Sequence, residues 1–184
     1  TAPPGHSRTV ALMNLAESEM RLGNLREAIA GYRVALESSN ELGPIDRETQ
    51  LLSVWGLAVA LDRSGDTKGA MREASLAVAL DPGLMVIAHG ENVYFVPSYE
   101  RSYYIGLGWL AEARRAVAPE DRSAALAAAE RAWSDYVRSA VPGDRWLPQA
   151  TRHLAETKAA RKVDARGAVK RGASGGGPLD PEAP

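Results

Sequence analysis

Residues 51–84 read LLSVWGLAVALDRSGDTKGAMREASLAVALDPGL, and this stretch decides the fold. It is about 34 residues long, the period of a repeated helix–turn–helix unit. Ala58 sits where a first helix would meet a second, and Gly65-Asp66 makes the turn between them. Ala70 and Ala77 lie along one side of the second helix, which Asp81-Pro82 ends. Small residues at these places let two backbones approach closely.

Working outward, residues 10–39 repeat the pattern as VALMNLAESEMRLGNLREAIAGYRVALESS. Gly23 makes the reversal, Ala28 and Ala35 take the small positions, and Tyr32 falls between them. Downstream, residues 99–115 (YERSYYIGLGWLAEARR) and 123–137 (SAALAAAERAWSDYV) form a third, looser pair. Tyr104 and Leu107-Gly108 stand in the first helix of that pair, Ala125 and Ala132 in the second. Pro119 with Glu120 and Asp121 suits a helix start, and Pro142-Gly143 a stop.

Together these residues resemble the tetratricopeptide repeat (TPR) family. Its pattern has a large apolar residue, a Leu-Gly pair, a turn Gly, two Ala and a terminal Pro. Val54, Leu57-Ala58, Gly65, Ala70, Ala77 and Pro82 match it in residues 51–84, with Val replacing Trp and Ala replacing Gly. The first repeat departs in its junction, since the turn glycines Gly23 and Gly65 are further apart than the period of about 34 allows. The resemblance implies an all-α, short α-solenoid of antiparallel helix pairs, with repeats over 9–44, 51–84 and 101–140. A polar-faced helix over 145–165 would cap the array, with Trp146, Ala150, His153, Leu154 and Thr157 on its packed side.

Between Pro82 and Ser98 the helical period fails. MVIAHGENVYFVP, residues 85–97, is rich in β-formers split by His89-Gly90-Glu91-Asn92. It predicts a hairpin or loop insertion over about 84–97. Val86, Ile87, Tyr94 and Phe95 would either cover a gap between repeats or present a docking loop. Residues 1–7 read as a disordered lead-in, 8–165 as the repeat domain, and the Gly/Ala-rich 166–184 as a disordered tail.

Composition narrows the chemistry. With 22 basic and 23 acidic residues, the chain has no global field that would draw nucleic acid or a membrane surface. A basic stretch over 152–171 lacks interleaved aromatics and reads as a solvated face. Cysteine is absent, so disulfides, thiolate metal sites and cysteine nucleophiles are excluded. His6, His89 and His153 lie in different segments, without H-E-x-x-H spacing. No G-x-S-x-G is present, and Gly106-Leu107-Gly108 lacks the third glycine of a dinucleotide fingerprint. A non-catalytic protein without cofactor or metal is the expectation. No apolar run approaches the roughly 20 residues of a membrane span. The chain starts at Thr1, which is consistent with a removed leader or with a piece of a longer protein, and the compartment stays open.

In the TPR family, the first helix of each pair lines a concave groove that holds a peptide. The resemblance places Met13, Glu17, Met20 and Arg21 there from the first repeat. The second contributes Trp55, Val59, Asp62 and Arg63, the third Ile105 and Trp109. Trp55 and Trp109 would be the anchors, because indole is enriched at binding hot spots. Met13 and Glu17 replace the Lys and Asn by which one TPR class clamps a C-terminal carboxylate, so that mode is not expected. The resulting expectation is an adaptor or scaffold for a protein or peptide partner. The alternative is an assembly subunit that self-associates or docks through the 84–97 insertion.

Overall fold

The computed structural model describes residues 5–42, 46–90 and 95–174, and the side chains as far as residue 166. Among these residues every regular element is helical: α1 (His6–Leu22), α2 (Leu25–Leu42), α3 (Arg47–Arg63), α4 (Thr67–Leu80), α5 (Met85–His89), α6 (Glu100–Arg115), α7 (Pro119–Ser139) and α8 (Leu147–Ser174). The all-α expectation holds.

Helices α1–α2, α3–α4 and α6–α7 form three antiparallel pairs, and each pair packs on the next through α2–α3 and α4–α6. Local chemistry sets the reversals. Gly23 and Gly65 adopt φ of 87° and 91°, the left-handed region where a side chain is strained. After the second turn, Asp66 accepts the Gly69 N–H at 2.8 Å and caps α4. Ala28, Ala35, Ala58, Ala70, Ala77, Ala125 and Ala132 are all buried, so backbones meet where the small residues stand.

Two glycines on α6 act as notches for indoles. A Cβ at Gly106 would lie 2.6 Å from the Trp133 ring, and one at Gly108 would lie 2.8 Å from Trp55. Positions two apart on a helix point to nearly opposite sides. α6 is therefore clasped between the indole of α7 and the indole of α3. The glycines of Gly106-Leu107-Gly108 serve packing.

The β-rich insertion is corrected. Residues 85–89 are helical because the buried Asp81 carboxylate accepts the N–H groups of Val86 at 2.9 Å and Ile87 at 3.4 Å. A single 3-10 turn, Pro82–Leu84, places Asp81 for that capping. A local capping contact thus overrides the strand preference of Val and Ile. The helix boundaries also differ at both ends. α1 begins at His6, whose Nδ1 lies 2.8 Å from Asp46 Oδ1, inside the expected lead-in. α8 continues to Ser174, past the expected end at 165.

Candidate functional site

Helices α1, α3 and α6 lie side by side, and side chains from them, from α2 and from Phe95 close the face they share. Tyr32, from α2, reaches across α3 at Gly56, where a Cβ would stand 2.2 Å from its ring. Its hydroxyl donates to Glu17 Oε2 at 2.6 Å. Tyr104, from α6, donates to the same oxygen at 3.2 Å. Phe95 packs edge-on against Tyr104 with ring centroids 5.0 Å apart. Burial, and then the neighbouring Tyr104 and Glu17, push the Tyr32 phenol well above its ordinary range. For Tyr104, burial and then Glu17 do the same.

A second group of polar side chains fills the region between α3, α6, α7 and α8. The buried Arg63 guanidinium pairs with Glu100 and lies 4.6 Å from the Tyr103 ring centre and 4.8 Å from that of Trp146. Burial works against its charge, but Glu100, Tyr104 and Tyr103 outweigh it and hold Arg63 above its ordinary range. Asp62 is fully buried, and its Oδ2 receives Tyr103 at 2.7 Å and Gln149 at 3.0 Å, with His153 Nε2 at 2.8 Å. Asp144 accepts from Tyr99 at 2.9 Å and from Tyr136 at 3.0 Å. Arg145 of the same turn donates to the Leu22 carbonyl at 2.7 Å, so the α7–α8 turn touches the end of α1. Asp62 Oδ2 and the Arg63 Nη2 group are thus engaged, while Asp62 Oδ1 and Arg63 Nε are buried with no hydrogen-bond partner among the described residues.

This closure corrects the expected groove. Trp55, Val59 and Asp62 are 0% exposed and Arg63 is 7% exposed, so none presents a surface to a partner. Trp55 and Leu84 both pack at Gly108, and all four residues of the second-repeat quartet are buried. Met20 is also buried, Met13 and Glu17 are half-buried, and Arg21 is exposed. Ile105 and Trp109 are half-buried against the core. In the expected docking loop, Ile87 is buried, Val86 and Phe95 are half-buried, and Tyr94 lies outside the described residues. The sequence reading placed Asp62 and His153 apart, in the groove and the capping helix. Their meeting was missed. Gln149 and His153 are four apart on one face of α8, which is the signal that both could reach one acceptor.

An open, apolar surface among the described residues lies elsewhere. A recess of about 390 Å³ is lined by Arg47, Glu48, Gln50, Leu51, Leu80, Val86 and Gly90, where α3, α4 and α5 converge. Beside it Met85 is 57% exposed, and Leu76, one turn before Leu80 on α4, is 47% exposed. Among the described residues, no group of three or more His, Asp or Glu is placed to hold a metal ion. None of their helices is long and apolar enough to cross a membrane. No family model matches the chain, and searches of curated proteins and of solved structures find no significant match.

Proposed function

We propose that the chain is a non-catalytic interaction module of TPR-like helix pairs that docks a peptide or protein segment at the α3–α4–α5 recess. The observation that carries this reading is the recess itself, where Leu51, Leu80 and Val86 form an apolar floor beside exposed Met85. Charged residues Arg47 and Glu48 stand at its rim. That composition suits a segment with an aliphatic anchor flanked by charge, the usual division between affinity and orientation at a peptide site. α5 belongs to the insertion, so this reading keeps docking at the insertion and moves it from a hairpin tip to a helix-walled recess. The filled face of α1, α3 and α6 then serves as the rigid support, since docking sites gain from pre-organised scaffolds.

The test is selection of random peptides displayed on phage against the full chain, counter-selected on Val86→Asp. Enriched peptides should share an aliphatic residue and lose binding to the variant while its helical circular dichroism stays intact. Failure to enrich any peptide, or enrichment that Val86→Asp leaves unchanged, overturns the assignment.

A further inference from the structure

A second recess, of about 240 Å³, opens between α4, α6, α7 and α8. Its lining includes His153, Glu156, Arg114 and Arg122, with apolar walls from Met71, Leu110 and Leu126. His153 is more than nine-tenths buried, and its Nε2 points into the core at Asp62 Oδ2, 2.8 Å away. That oxygen already receives Tyr103 and Gln149, so the imidazole edge facing it is the N–H edge. In its neutral form the ring carries its lone pair on Nδ1, because Nε2 donates to the buried carboxylate.

Nδ1 has no hydrogen-bond partner among the described residues. Across from it stands another acceptor, Glu156 Oε2, 3.9 Å away. With the ring neutral, these are two acceptors on one face of α8 that a single donor can bridge. Arg122 is already engaged by Asp164 at 2.9 Å and by the Ala113 carbonyl at 3.4 Å. Arg114 has no hydrogen-bond or ion-pair partner among the described residues and supplies an uncompensated positive charge on the same lining.

We infer that this recess binds a small zwitterion of the aliphatic amino-acid class. Its ammonium donates to His153 Nδ1 and Glu156, its carboxylate pairs with Arg114, and its side chain lies against Met71, Leu110 and Leu126. The recess is smaller than the roughly 300–1,000 Å³ of pockets that hold drug-sized ligands, which matches a molecule of this size. The site lies apart from the α3–α4–α5 recess and does not rest on the docking reading.

The experiment is calorimetric titration of the full chain with L-leucine, 4-methylpentanoate (carboxylate alone) and 3-methylbutylamine (amine alone). L-leucine should bind saturably at millimolar concentration, and each half-molecule about ten-fold more weakly, as expected when one charge-assisted contact is lost. Glu156→Gln and Arg114→Gln alter exposed side chains, and each should weaken L-leucine about ten-fold while circular dichroism stays unchanged. Absence of saturable L-leucine binding overturns the proposal. So does equal binding of either half-molecule, or unaltered affinity in both variants.

Discussion

Tyr104 and Glu17, 87 positions apart in sequence, share a hydrogen bond of 3.2 Å that joins the third helix pair to the first. Glu17 also accepts from Tyr32, so one half-buried carboxylate holds two buried phenols. Replacing Glu17 by Ala leaves both hydroxyls without that acceptor. Each buried donor left unpaired costs about 1–3 kcal/mol. Glu17→Ala should lower stability by about 2–6 kcal/mol on that scale, read as a lower urea midpoint with retained helicity. A midpoint unchanged from the parent would show that the first and third pairs are held together without this bridge.

Alkaline pH should unfold the chain cooperatively. Burial first, then neighbouring acidic groups, raises the phenols of Tyr32, Tyr103, Tyr104 and Tyr136 above their ordinary range. Below the unfolded value near 10, both states hold these protons and stability is unaffected. Above it the unfolded chain releases them first, so stability falls by about 1.4 kcal/mol per pH unit for each such tyrosine. Tyrosinate absorbance should therefore rise together with loss of helical dichroism between about pH 10 and 12. A full phenolate signal from a chain that remains helical would contradict the burial of these rings.

The two kinds of glycine should respond differently to Ala. At Gly108 a Cβ would meet Trp55 at 2.8 Å and Leu84 at 2.9 Å, forcing fully buried side chains to move. Overpacking of this kind costs about 1–3 kcal/mol. At Gly65 nothing lies within 4 Å, and only the positive φ of 91° opposes a side chain, at about 1–2 kcal/mol. Combining Gly108→Ala with Trp55→Phe should recover part of the loss, because the smaller ring vacates the contact. The same ring change should recover nothing from Gly65→Ala. Thermal denaturation of the four variants settles both points.

The helix pairs were legible because short-range rules write them. Gly23 and Gly65 announce turns, and the alanines announce close approach, each within one 34-residue period. The α5 helix was not legible: its Val and Ile favour strands, and the deciding contact is the Asp81 side chain capping two amides five and six residues on. The buried quartet Trp55, Val59, Asp62 and Arg63 was misplaced for a different reason. Helical position says which way a residue points, but not that Tyr32, Tyr103 and Tyr104 from other helices and Trp146 from the α7–α8 turn would cover it. Long-range contacts such as Arg145 with Leu22 are recorded by no local pattern.

The last prediction concerns Asp62 and the attachment of α8. Gln149 donates to the Asp62 carbonyl at 2.5 Å and to its carboxylate at 3.0 Å, while His153, one turn on, reaches the same carboxylate. Asp62→Ala removes the carboxylate but leaves the backbone contact, so α8 should stay docked more weakly. Tyr103 and His153 would lose a buried partner, at about 1–3 kcal/mol each. The loss should be local before it is global, because α8 packs mainly on α7. Hydrogen exchange should therefore speed up along the first half of α8, around Ala150 to Thr157, more than in α1–α2. Asp62→Asn, which keeps one carbonyl oxygen able to accept, should restore part of the protection. Uniform acceleration across every helix in Asp62→Ala would mean instead that Asp62 stabilises the whole array through Tyr103 and α6.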